Sequence, residues 1–82
     1  MTRTKWFLHG DQVLEVRDLR VMTSLEIWIY QNDRPVVRHG ALSLRETVHA
    51  LGQGRDLLDE AMDRAMADVQ AGRLPLTQRV CA

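Results

Sequence analysis

The chain changes its hydrophobic period once, at Ser43. Before it, apolar residues recur at spacing two; after it, they recur at helical spacing. This switch limits the fold more than any other feature, because the two periods suit different elements. Runs of strands followed by runs of helices build an α+β domain, with an antiparallel sheet and its helices on one face. The order read from the sequence is ββββαα: a β-meander of three to four strands, then two helices.

In the first half, Lys5 to His9 reads as a short strand, and Gly10-Asp11 as the turn after it. Val13 to Met22 is the second strand. Leu14 and Val16 share one face, whereas Leu19 and Val21 fall at the opposite parity, so a bulge or break is expected near Arg17-Asp18. Leu25 to Gln31 is the clearest strand, with Leu25, Ile27 and Ile29 on one face and Glu26, Trp28 and Tyr30 on the other. Asn32-Asp33-Arg34-Pro35 supplies turn chemistry. Val36 to His39 returns as a short fourth strand, closed by Gly40.

In the second half, Ser43-Leu44-Arg45-Glu46 matches a capping box. Leu44, Val48 and Leu51 share one side of a short helix that ends at Gly52-Gln53-Gly54. A longer helix runs from about Asp56 to Ala71, since Leu57, Leu58, Ala61, Met62, Ala65 and Val69 form one stripe at helical spacing. Asp56 suits the N-cap, Gly72 the position after the C-cap, and Pro75 forbids continuation. Arg73 to Ala82 is a tail that either docks or stays loose.

With 82 residues the chain forms a single domain spanning 1–82, too short for a barrel enzyme. A 45% hydrophobic and 27% charged composition argues against disorder. Eleven basic residues balance 11 acidic ones. Residues 1–42 hold six basic and five acidic groups, and residues 43–82 hold five and six, so neither half carries the basic excess of a duplex binder. Among the basic residues only Lys5 is Lys, which reads as a GC-rich bacterial coding sequence. The lone Cys81 fits a reducing compartment. The N-terminus lacks an apolar leader and no run is long enough to span a bilayer, so a soluble cytoplasmic protein is expected, with no membrane partner.

Trp28 and Tyr30 are the leading candidate site residues. If the helices cover Leu25, Ile27 and Ile29, two large aromatics stand on the uncovered face, and Phe7 and Val37 are expected to join them. Such a patch marks a partner surface. A small domain also gains stability by self-association. The alternative is a nucleic-acid module using Arg17, Arg20, Arg34 and Arg38 on the sheet. The segment Leu25 to Gly40 resembles the hairpin of small barrels appended to transposases and integrases, which would imply nucleic-acid contact; the helical half does not follow that pattern. Glu15, Asp18, Glu26 and Asp33 interleave with these arginines, and cross-strand ion pairs explain them equally well.

No catalytic residue is expected. The acids Asp56, Asp59, Glu60, Asp63 and Asp68 project from one amphipathic helix and read as a solvated face, without an EF-hand pattern. His9, His39 and His49 lack metal-ligand spacing; Glu46 and His49 are the nearest approach to a ligand pair, and no metal or other cofactor is expected. The expected function is therefore a non-enzymatic interaction module. Its expected partner is itself, as a homodimer, or another protein, ahead of nucleic acid.

Overall fold

A computed structural model describes residues 3–74 and Leu76. The elements are β1 (Thr4–His9), β2 (Gln12–Val21), β3 (Ser24–Gln31), β4 (Arg34–Ser43), α1 (Leu44–Gly52) and α2 (Leu57–Gln70). The strands form one antiparallel sheet in the order β1-β2-β3-β4, and the helices pack on it. This is the ββββαα arrangement expected from the period switch.

Two-residue turns set the registers. Gly10 has φ of +67° and closes β1 on β2 at the His9–Gln12 pair. Asn32 and Asp33 have φ of +54° and +64°, the pair of left-handed residues that a type I′ hairpin turn needs. Met22 takes φ of +57° between β2 and β3, where neither Gly nor Asn stands, and its side chain is 84% exposed.

One face of the sheet is covered. Leu14 and Val16 of β2 and Ile27 and Ile29 of β3 pack with Leu58, Met62, Ala65 and Val69 of α2. All are buried, and each large aliphatic chain so placed contributes about 1.5–3 kcal/mol. The helices thus take the Leu25, Ile27, Ile29 face, which leaves the Trp28 and Tyr30 face uncovered.

Helix α2 starts at an Asp56 N-cap, whose carboxylate accepts the Asp59 N–H at 3.0 Å. It lies along β1, with one flank held by charge: Arg3 pairs with Asp56, and Lys5 with Asp59 and Asp63. These acids are therefore not simply a solvated face. Helix α1 is capped by Ser43, whose hydroxyl accepts the Glu46 N–H. It buries Thr47 and Ala50, while Val48 and Leu51 stay exposed. The apolar side read from Leu44, Val48 and Leu51 is therefore not the side that packs.

Two local expectations are corrected. Strand β2 has no bulge near Arg17-Asp18; it pairs with β3 without interruption from Glu15 to Val21. The core position at the parity change is filled by Asp18, 3% exposed, whose carboxylate accepts the Arg3 N–H. Strand β4 does not close at Gly40 but runs on to Ser43, and the irregularities lie there, where Val36 and His39 drop out of register with β3. Leu74 and Leu76, from the start of the expected tail, pack against the core as partly buried residues; Cys81 lies outside the described residues.

Candidate functional site: the uncovered sheet face

Cross-strand partners point to the same side of a sheet, so the registers lay out the uncovered face row by row. One row runs Trp6, Glu15, Tyr30, Pro35; the next runs Thr4, Arg17, Trp28, Arg38; a third carries Leu19, Glu26 and Ala41. Leu8 and Val13 face each other at one end, and Val21 stands at the other.

The centre of this face is a charged lattice laid over two aromatics. The Arg17 guanidinium sits 4.3 Å from the centroid of the Tyr30 ring, within cation–π reach. Arg17 also donates to Glu15 at 2.6 Å and to Asp33 at 2.7 Å. Asp33 and then Glu15 hold its pKa above the ordinary guanidinium value. Glu15 is only 6% exposed under this cover. The Trp28 indole N–H donates to Glu26 at 2.9 Å, and Glu26 lies 3.6 Å from Arg38. Trp28 and Tyr30 do stand on the uncovered face, but each is half-buried beneath these charges.

The exposed apolar surface lies around that lattice, on β1 and β2. Trp6 is 66% exposed and Leu8 63%; Val13, Leu19 and Val21 are exposed on the same face. Trp6 was missed because Phe7 was assigned to this face. Gly10-Asp11 carried the needed signal: a two-residue turn there sets Phe7 opposite Leu14, and hence on the covered side, with Trp6 opposite Glu15. Val37 is likewise not on the uncovered face. The bulge at Val36 sets it opposite Ile29, and both Phe7 and Val37 pack against the core.

The four arginines do not form one patch. Arg17 and Arg38 lie on the uncovered face, each beside a carboxylate. Arg20 and Arg34 pair with Leu25 and Gln31, residues of the covered parity, and the Arg20 Nε–H donates to the Met22 carbonyl at 3.2 Å.

A second polar cluster lies where β4 bulges toward α2. His39 Nε2 is 2.7 Å from Asp68, and Arg73 donates to the other carboxylate oxygen of Asp68 at 2.9 Å. His39, then Arg73, hold the Asp68 carboxyl below its ordinary pKa. Its neighbour is a small crevice of 160 Å³, lined by Ile27, His39, Ala61 and Arg64 among others. Among the described residues, no group of three or more His, Cys, Asp or Glu could hold a metal ion. No helix is long and apolar enough to cross a membrane.

No family model matches the chain, and no curated protein or solved structure does.

Proposed function

We propose that the chain is a non-enzymatic interaction module that self-associates, with its contact residues on the uncovered sheet face. The observation that carries this reading is the gathering of exposed Trp6, Leu8, Val13, Leu19 and Val21 on one face. Trp6, Leu8 and Val13 adjoin at one end of that face, and Leu19 and Val21 lie at the other, beyond Glu15 and Arg17; exposed apolar groups gathered on one face in this way are a recognition feature rather than a random scatter. The balanced charge, 11 basic against 11 acidic, leaves little self-repulsion to oppose association. The paired lattice of Glu15, Arg17, Glu26, Asp33 and Arg38 brings neither an unpaired charge nor a single-sign field to the contact. It also leaves little free guanidinium for phosphate, which disfavours the nucleic-acid alternative.

Absolute mass by light scattering on a sizing column tests the reading. Twice the chain mass is expected, and a dilution series should reach the monomer. A single-chain mass at every concentration up to the millimolar range would remove self-association as the function.

A further inference from the structure

We propose that two copies join through the outer edge of β1, with Trp6 facing Trp6 across a two-fold axis. The result is one continuous antiparallel sheet. The proposal rests on the self-association proposed above and specifies its geometry.

The two edges of the sheet are unlike. Strand β4 breaks register with β3 at Val36 and again at His39, and it carries Pro35. Bulges, proline and charged side chains, Lys above all, are devices that keep an edge strand from pairing further. Strand β1 has no bulge and no proline, and pairs with β2 without a shift from Thr4 to His9; its one such charge, Lys5, is neutralised by Asp59 and Asp63. Among the described residues no strand lies on its other side.

The direction of its backbone groups follows from the ladder. In an antiparallel pair, alternate residues exchange both hydrogen bonds with the neighbour, and the residues between them point outward. Asp18 N–H donates to the Arg3 carbonyl, which places Arg3 in the inward set, and with it Lys5, Phe7 and His9. The two-residue turn closing on His9–Gln12 gives the same parity. Thr4, Trp6 and Leu8 therefore turn their N–H and C=O groups to the free edge, and their side chains lie on the uncovered face.

This edge is complementary to itself. A two-fold axis at Trp6 sets Thr4 of one copy opposite Leu8 of the other, so each outward donor meets an acceptor. The Leu8 carbonyl already accepts from Gln70 Nε2 at 3.1 Å; a carbonyl oxygen carries two lone pairs, so the seam N–H shares this acceptor with Gln70. On the covered side Lys5 falls opposite Phe7 of the second copy, so the two lysines do not meet. Each Lys5 is also held by its own Asp59 and Asp63. On the uncovered face, the exposed Trp6 and Leu8 of both copies come together at the seam, as aromatic and aliphatic cross-strand neighbours. A second copy is the occupant because the same pairing that fills the backbone groups also sets the exposed Trp6 and Leu8 of each copy against those of the other and keeps the two Lys5 side chains apart.

The test is Thr4→Pro, followed by light scattering and amide exchange. The Thr4 N–H points away from β2, so its removal costs the monomer no ladder bond. The variant is expected to run at monomer mass where the wild type runs as a dimer, with an unchanged circular dichroism spectrum. Independently of any variant, the Trp6 and Leu8 amides of the wild type should exchange at least ~10-fold more slowly in the dimer than at monomer dilution. A wild-type dimer whose Trp6 and Leu8 amides exchange at the monomer rate overturns the seam and leaves self-association standing. A Thr4→Pro variant that remains dimeric does the same. A wild type that is monomeric throughout overturns both.

Discussion

On one face of this sheet, Leu14, Val16, Ile27 and Ile29 are sealed under α2, and apart from the buried Asp18 the charges stand at the margin, where Arg3 and Lys5 meet Asp56, Asp59 and Asp63. On the other face the arrangement is inverted. Arg17, Glu15, Asp33, Glu26 and Arg38 occupy the centre, and the exposed apolar side chains lie around them. The same strands build both. The difference teaches that a small sheet can be stabilised from one side only, while the other side is ordered by polar contacts and stays uncovered.

The largest test of this contrast is truncation on either side. Met62→Ala removes a fully buried side chain from the covered face, and should cost about 2–5 kcal/mol in chemical denaturation. Trp6→Ala, on the uncovered face, should change monomer stability by only about 0.5 kcal/mol in either direction when measured at monomer dilution. Equal losses from the two substitutions would mean that the faces are not divided in this way.

A smaller effect is expected at Asp18, the carboxylate set into the covered side. Asp18→Ala leaves the Arg3 N–H without its acceptor and should cost about 1–3 kcal/mol. Asp18→Asn keeps an oxygen there and should recover most of that loss. If the alanine variant melts with the wild type, the contact contributes nothing to the fold.

The smallest effect concerns the charged margin. Asp56 is held below its ordinary pKa by the Asp59 N–H first and Arg3 next, and Asp68 by His39 first and Arg73 next. A carboxyl with a lowered folded-state pKa stabilises the fold above its unfolded value, near pH 4, and that contribution is lost as pH falls through the folded value. Melting temperature should therefore decline on acidification below about pH 4, and the decline should be shallower in Asp68→Asn. Parallel curves for variant and wild type would show that the pairing carries no pH dependence.

These contacts also mark what the sequence could and could not reveal. Leu25, Ile27 and Ile29 announce their face because strand periodicity is a local property, and the Ser43 and Asp56 caps act on their own helices within three residues. Asp18 looked like a break in the pattern because its partner, Arg3, is 15 residues away. The acids of α2 looked solvated because Arg3 and Lys5 reach them from 53 and 58 residues away. Val37 was misplaced for a related reason: a bulge reverses parity, and Pro35 and Gly40 mark β4 as irregular without fixing at which residue the extra one is inserted. The Trp28 and Tyr30 side of the candidate site was legible, whereas the more exposed Trp6 followed only from counting across the Gly10-Asp11 turn.

The order of the elements has a consequence for the chain as it is made. Synthesis runs from the N-terminus, so all four strands leave the ribosome before α2. Each hairpin closes with its neighbour through a short loop, which costs little chain entropy. The meander can therefore assemble while the helix that covers it is still being made. During that interval the aliphatic face of Leu14, Val16, Ile27 and Ile29 is bare, and β1 carries its open edge beside it. Such a nascent chain presents the surfaces that draw aggregation or chaperones. The arrival of α2, drawn to Arg3 and Lys5 by its acidic flank, ends that exposure.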